Sequence, residues 1–219
     1  KNGGFIVATE NGGVYEAKTV LITSGSHRRK LDIPGAAQFE NKGITYCASC
    51  DGPLFAGKDV VVVGGGNAGF ETAAQLLAYA KSVTVLQRGV EYRADPVTVS
   101  KVLANPKMRG VTNTELVEIK GDKFVTSIIY KDLSDGKNKE ILCGGIFVEI
   151  GLIPSTDYLQ DLVPLNKYGQ IIIDSRTQQT KTPGVWAAGD CTDGLYHQNN
   201  IAAGDAVRAL EDIYMHLHT

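Results

Sequence analysis

Residues 59–69 read Asp59-Val-Val-Val-Val-Gly-Gly-Gly-Asn-Ala-Gly69, and this stretch decides the fold. Four consecutive valines are typical of a parallel strand that is buried on both faces. The glycines fit G-x-G-x-x-G: Gly64 permits a tight turn, Gly66 lets the backbone approach a pyrophosphate, and Gly69 lets the next helix pack against the strand. Apolar residues at helical spacing follow over residues 67–80, which predicts the strand, turn and helix of a dinucleotide site.

The residues after the glycines indicate which nucleotide binds. A helix that starts at Asn67 directs its free N–H groups and the positive end of its dipole toward a phosphate, so Asn67 and Ala68 join the three glycines as predicted cofactor-binding residues. Sites specific for NAD usually carry an acid after the next strand, where this chain has Gln87, then Arg88, with Arg93 close behind. Guanidinium groups suit a 2′-phosphate, which favours NADPH over NADH. The alternative is that both arginines are ordinary surface charges.

A pair of cysteines precedes this unit. Cys47 and Cys50 have Cys-x-x-Cys spacing, and Asp51 follows them. A zinc site needs a second close pair of ligands, which is absent, so no metal site is predicted. A purely structural disulfide would close a very short loop and stabilise little, which favours a redox pair with Asp51 as proton shuttle. Because a disulfide does not readily accept hydride from a nicotinamide, we expect a flavin as intermediary.

The rest of the chain predicts strands and two further helices. Residues 5–17 have the pattern of a β-hairpin with a glycine turn, and residues 111–143 that of a β-meander. Asp95 is a predicted N-cap for a helix that ends at Leu103, and an amphipathic helix closes the chain. The basic cluster at residues 27–30 is interpreted as a solvated loop. The predicted fold class is α/β, a Rossmann-like NAD(P)-binding domain with an inserted β-meander.

Composition narrows the possible partners. The chain has 219 residues, of which 43% are hydrophobic and 21% charged, as is ordinary for a globular protein. A net charge of −2 without a Lys/Arg block argues against nucleic-acid or anionic-membrane partners. No apolar run is long enough to span a bilayer, and no signal-peptide core opens the sequence. We therefore expect a cytoplasmic protein.

Together these motifs resemble the low-molecular-weight thioredoxin reductases, which are pyridine-nucleotide flavoprotein disulfide reductases. The likeness covers nearly the whole chain, and it is similar also to the flavoprotein component of alkyl hydroperoxide reductase. The matching runs, in the family's order, are residues 45–53, residues 61–69, Arg88 with Arg93 and Ala94, residues 183–190, and residues 196–198.

The resemblance implies domain boundaries and further site residues. An NAD(P)H-binding domain, residues 47–152, would carry the dithiol and be inserted between two segments of an FAD-binding domain, residues 1–46 and 153–219. The dithiol-adjacent acid, Asp51, would be the proton donor. The predicted flavin contacts are Gly189 and Asp190 on the ribityl-phosphate side, and His197, Gln198 and Asn199 near the isoalloxazine ring. A homodimer is implied, with thioredoxin or a similar small dithiol protein as partner.

The chain departs from the family pattern at two places. Gln87 to Gly89 read Gln-Arg-Gly where the family has His-Arg-Arg, so one phosphate-binding charge is missing. A full member also carries an earlier glycine fingerprint for the FAD pyrophosphate, which this sequence lacks. We therefore expect an N-terminally truncated chain with an incomplete FAD domain, which does not retain FAD and need not be active alone.

The implied function is electron transfer from NADPH, through FAD and the Cys47–Cys50 dithiol, to a protein disulfide. Two alternatives stay open. One is a reductase of the peroxiredoxin system, like the flavoprotein of alkyl hydroperoxide reductase. The other is a non-catalytic nucleotide-binding fragment, against which the dithiol argues, because a nucleotide sensor needs no redox pair.

Overall fold

The four valines form the centre of a parallel sheet in the structure, a computed structural model that describes residues 4–159 and 161–218. The chain folds as two compact units, one of Arg28–Gly151 and the other of Lys1–His27 with Leu152–Thr219. In chain order the strands are β1 (Phe5–Ala8), β2 (Val14–Ala17), β3 (Val20–Ile22), β4 (Ser26–Arg28), β5 (Ile44–Thr45), β6 (Asp59–Val63), β7 (Ser82–Leu86), β8 (Met108–Val111), β9 (Thr114–Gly121), β10 (Val125–Asp132), β11 (Asn138–Leu142), β12 (Gly145–Val148), β13 (Leu152–Pro154) and β14 (Val185–Ala187). The α-helices are α1 (Ala48–Asp51), α2 (Asn67–Leu76), α3 (Pro96–Leu103) and α4 (Asn199–His218), and short 3₁₀ turns span Gly52–Phe55 and Asp157–Leu159.

The unit of residues 28–151, hereafter the nucleotide unit, is built on a five-stranded parallel sheet. Its strand order is β5-β12-β6-β7-β8, so the valine strand β6 lies in the middle. Val61 shares a buried cluster with Ile128 of the meander, whereas Val62 shares the other with Phe70 of α2. Each buried valine contributes about 1.5–3 kcal/mol of transfer free energy. The sheet is therefore covered by helices on one face and by the meander on the other, which is why β6 is apolar throughout.

The β-meander predicted for residues 111–143 is confirmed in outline. Strands β9, β10 and β11 pair antiparallel with β10 in the centre, so that Ile128 lies opposite Ile119 and Ile141. Strand β8 was not predicted. It pairs in parallel with β7 at the edge of the main sheet, and its sequence Met-Arg-Gly-Val has neither alternation nor an apolar run. Its position is decided by tertiary packing, not by local preference.

Local hydrogen bonds decide where α2 ends and where α3 begins, the two longer helices of the nucleotide unit. Helix α2 stops at Leu76, short of the predicted Ala80, because the backbone tightens into i→i−3 bonds such as that from Tyr79 N–H to the Leu76 carbonyl, 3.0 Å. Helix α3 begins as predicted, since the Asp95 carboxylate accepts a hydrogen bond of 2.8 Å from Thr98 N–H.

The other unit, hereafter the flanking unit, is built from smaller pieces. The predicted hairpin is present as the antiparallel pair β1 and β2, and β3 pairs in parallel with β14. Trp186 of β14 is fully buried, and its indole N–H donates to Asp212 of α4 at 2.9 Å. Among the described residues, no helix has both the length and the apolar character that crossing a membrane requires.

Candidate nucleotide and dithiol sites

The glycine loop between β6 and α2 has the geometry that a pyrophosphate needs. Gly64 has a φ of +122°, and a Cβ there would lie 2.1 Å from the Glu149 carbonyl oxygen. A Cβ on Gly69 would lie 1.8 Å from the Gly64 carbonyl oxygen, so the helix packs against the turn more closely than any side chain permits. Gly66, in contrast, has no heavy atom within 4 Å of its Cβ direction. The loop therefore presents open space at the start of α2, where N–H groups favour an anion.

A cavity of about 600 Å³ opens over the carboxyl ends of β6, β7 and β12. After β6 the chain continues into β7 on one side of it, and the later strand β12 lies on the other side of β6. The strand order therefore reverses between β6 and β12. Such a topological switch point is where open α/β sheets bind ligands. The lining residues are Arg29, Leu31, Val63, Gly64, Gly65, Gly66, Leu86, Gln87, Arg88, Gly89, Arg93, Thr114, Glu115, Leu116, Glu149 and Ile150.

The β7 end of this cavity carries the residues predicted to choose the coenzyme. Arg88 and Arg93 both line it, and both are exposed. Gln87 is buried; its side-chain oxygen accepts from Gly65 N–H at 3.2 Å, and its side-chain nitrogen donates to the Glu91 carbonyl at 2.9 Å. Gln87 therefore joins the glycine loop to the loop that carries Arg88 and Arg93. This positioning role was not predicted, because in the sequence Gln87 signals only that an acid is missing at its position.

Not every predicted nucleotide residue faces the cavity. Asn67, Ala68 and Gly69 are absent from its lining. The Asn67 side chain instead accepts a hydrogen bond from Asp95 N–H at 2.8 Å, which joins α2 to the start of α3. What Asn67 and Ala68 can offer a phosphate is their backbone N–H groups, which have no partner within the first turn of a helix.

The β12 end of the cavity holds residues that were not predicted. Glu149 follows β12 and has a side chain only 5% exposed. Thr72 of α2 donates to its Oε1 at 2.8 Å, and Arg28 donates to its Oε2 at 2.9 Å. Burial raises the pKa of the Glu149 carboxyl above its ordinary value. Arg29 lines the cavity too. Residues 27–30 are all exposed, as the interpretation of a solvated segment expects, but His27 and Arg28 belong to strand β4 and not to a loop.

The two predicted redox cysteines form a disulfide in the nucleotide unit. Cys47 caps the short helix α1, and its sulfur accepts from Cys50 N–H at 3.1 Å. Cys47 is half-buried, and Cys50 is the exposed residue of the pair. The Asp51 carboxylate accepts a hydrogen bond from Thr45, and Ser49 Oγ donates to Gln75 of α2 at 2.8 Å. The pair is thus fixed at one end to the helix that begins at the glycine loop.

The residues predicted to contact a flavin lie in the flanking unit. Gly189 has a φ of +77°, and Asp190 accepts from Ser26 Oγ at 3.3 Å. His197 Nδ1 lies 3.5 Å from Asp190 Oδ1, and in the described part of the chain this nitrogen and Ser24 Oγ are buried without a hydrogen-bond partner. Buried polar atoms are normally paired, so these two atoms fit a site that a polar ligand completes. Gln198 and Asn199 are exposed at the start of α4.

The chain belongs to the pyridine nucleotide-disulphide oxidoreductases, whose family profile matches residues 2–206. This class of oxidoreductase implies a nicotinamide nucleotide and a flavin, in agreement with the sequence analysis. Within the class, the fold is that of thioredoxin reductases. The thioredoxin reductase of T. acidophilum aligns with a TM-score of 0.84 and 38% identity over 100% of this chain and 72% of that one. The enzyme of Lactococcus lactis aligns with a TM-score of 0.84 and 32% identity over 97% and 70%.

Curated relatives bear other names. An NADH dehydrogenase of Bacillus subtilis strain 168 is 43% identical over 205 residues, and an alkyl hydroperoxide reductase component of Staphylococcus aureus strain MRSA252 is 44% identical over 203. The matches cover 94% and 93% of this chain, which spans about 40% of the length of both relatives. The comparisons confirm the predicted α/β fold class and the resemblance to thioredoxin reductases.

Proposed function

We propose that this chain supplies the nucleotide site and the redox dithiol of a flavoprotein that reduces a protein disulfide. One observation carries the proposal: a disulfide between the half-buried Cys47 and the exposed Cys50 belongs to the same folded unit, residues 28–151, as a glycine-loop cavity. A nucleotide sensor would need only the cavity, and a structural disulfide would need only the cysteines.

The cavity would hold NADPH, with the pyrophosphate at the start of α2. Arg88 and Arg93 are placed to pair with a 2′-phosphate, and no acid stands at the end of β7 to take a 2′-hydroxyl. Gly189, Asp190 and His197, together with Gln198 and Asn199, would hold the flavin side of FAD. A flavin held by these residues would supply the two-electron chemistry that links a nicotinamide to a disulfide.

The reduced pair would then reduce the partner in two exchange steps. The Cys50 N–H directed at Cys47 Sγ stabilises a thiolate there, so we assign the attack to Cys47. Its thiolate breaks the partner's disulfide, forms a mixed disulfide, and releases one partner sulfur as a thiolate. Cys50 then attacks Cys47 Sγ, which restores the Cys47–Cys50 bond and releases the second partner thiolate. Asp51 would supply protons to these leaving sulfurs.

Two kinds of partner fit this chemistry. Thioredoxin or a similar small dithiol protein agrees with the names of the aligned reductases, whereas the name of the Staphylococcus relative favours a disulfide of a hydroperoxide-reducing system. A homodimer and a cytoplasmic location, where thiols are kept reduced, stay part of the proposal.

The half-reaction of the dithiol tests the proposal without nucleotide or flavin. The chain is reduced, freed of reductant, and mixed with equimolar oxidised thioredoxin or with an oxidised two-cysteine peroxidase. We expect one disulfide per chain to be transferred, and Cys50→Ser to accumulate a mixed disulfide through Cys47, measured by mass spectrometry. Cys143→Ser, which changes a buried thiol, is the matched control and should behave as wild type. No transfer to either protein would refute the proposed dithiol role.

A further inference from the structure

Glu149 is a buried carboxyl in the wall of a cavity whose other lining residues are mostly apolar, glycine or basic, with Gln87, Thr114 and Glu115 as the exceptions. It stands at the β12 end, opposite the arginines at the β7 end. The thiol chemistry and the predicted nucleotide contacts do not use it. A buried ionisable group in a ligand cavity calls for a partner or a function, because removing a carboxylate from water is costly.

The topology decides which part of a dinucleotide would meet this residue. A dinucleotide in a doubly wound sheet crosses the switch point, with its pyrophosphate at the start of the first helix. Here the adenosine half then extends toward β7 and Arg88, and the nicotinamide half toward β12 and Glu149. Glu115, the other carboxyl in the lining, follows Thr114, which donates to the Gln87 carbonyl at 3.0 Å, so it belongs to the adenosine end.

The protein satisfies the Glu149 carboxylate only in part. Its two oxygens offer about four lone-pair positions. Thr72 uses a position on Oε1 and Arg28 uses a position on Oε2, and these two contacts also fix the orientation of the group. The lone-pair positions that remain can accept further hydrogen bonds. In the nicotinamide half of a dinucleotide, the groups that can donate them are the carboxamide N–H groups and the ribose hydroxyls.

We propose that Glu149 is a positioning residue for the nicotinamide riboside half of the dinucleotide, and that it accepts hydrogen bonds from the carboxamide N–H or ribose hydroxyl groups. This inference rests on the proposed nucleotide site and deepens it. Thr72 and Arg28 hold the carboxylate in place, and burial strengthens each hydrogen bond that it accepts.

Calorimetric titration of the chain with ADP, ADP-ribose and NADH tests the inference. All three ligands share the adenosine half; ADP-ribose has a second ribose that ADP lacks, and NADH carries the nicotinamide as well. None of the three carries a 2′-phosphate, so Arg88 does not bias the comparison. In Glu149→Ala the ratio of NADH affinity to ADP affinity should fall about tenfold, and in Glu149→Gln, which keeps an acceptor oxygen, it should fall less. A loss already seen with ADP-ribose assigns the contact to the ribose, and a loss seen only with NADH assigns it to the carboxamide.

A merely structural role for Glu149 would change ADP and NADH affinity together and leave their ratio unchanged. Glu115→Gln, which removes a carboxylate from the adenosine end, is the matched control, and it should not move the ratio. Thermal unfolding shows that each variant is folded, and Glu149→Gln serves alone if Glu149→Ala is not. An unchanged ratio in folded variants would overturn this inference only, whereas wild-type chain that binds no ADP would overturn the nucleotide site and this inference with it.

Discussion

The nucleotide unit and the flanking unit differ in how their cores are built. The nucleotide unit has a five-stranded sheet with a buried cluster on each face. The flanking unit has two-stranded pairs around a smaller cluster that includes Ile22, Ile171 and Cys191. Two-stranded pairs are marginal by themselves, whereas a sheet covered on both faces buries every central strand. The two units can therefore differ in their free energy of unfolding, although they belong to one chain.

The largest effect is expected from truncation of the nucleotide unit's core. Phe70 is fully buried, so Phe70→Ala should lower the free energy of unfolding of that unit by about 3–5 kcal/mol. Phe124→Ala, at an exposed position of the same unit, is the control and should change it by about 0.5 kcal/mol or less.

Trp186, the chain's single tryptophan, reports the flanking unit separately. Urea unfolding followed by circular dichroism should shift strongly in Phe70→Ala, while the Trp186 fluorescence transition should stay in place. A fluorescence transition that moves with the dichroism would contradict separate stabilities for the two units, because they would then unfold together.

Cysteine labelling measures how readily each unit opens. Cys143 lies in the nucleotide unit and Cys191 in the flanking unit, and both thiols are buried. Burial raises the pKa of Cys143 to about 12, so that thiol should not react until its unit opens. The reagent cannot reach Cys191 either until its own unit opens, because that residue is fully buried. We expect an excess of alkylating reagent to modify Cys191 about a hundredfold faster than Cys143, as read by mass spectrometry of peptides. Equal rates, or a faster Cys143, would contradict the ranking of the two units.

Coenzyme binding gives the smallest of the expected effects. It tests whether the nucleotide unit binds a coenzyme without a folded flanking unit. Arg88→Ala should lower NADPH affinity about tenfold and leave NADH affinity nearly unchanged, because only NADPH carries the 2′-phosphate. Arg109→Ala, on β8 and outside the cavity lining, is the control. Calorimetry in mild urea, where Trp186 already reports an open flanking unit, should give the same preference. An Arg88 variant that binds both coenzymes as wild type does would refute the predicted preference.

Local sequence predicted the parts of the fold that depend on near neighbours. The valine strand, the glycine turn and the Asp95 cap each involve residues within about one turn or one strand, so their patterns were sufficient. Glu149 and Arg28 could not be predicted as a pair. They are 121 positions apart in sequence, and they meet because β12 inserts beside β6 after the whole meander. Their individual residue types carried no signal, since a lone acid or a basic cluster is usually solvent-exposed.

The two hydrogen bonds of the Gln87 side chain have a consequence for redesigning coenzyme choice. The usual exchange toward NADH would install an acid at this position, as in Gln87→Glu. A glutamate could still accept from Gly65 N–H, but it has no N–H for the Glu91 carbonyl, so two oxygens would face each other where Gln87 now donates. A swap of specificity at this site would therefore loosen the loop that carries Arg93, and it would require a compensating donor near residue 91. In this protein the selectivity of the pocket and the shape of its rim cannot be altered one at a time.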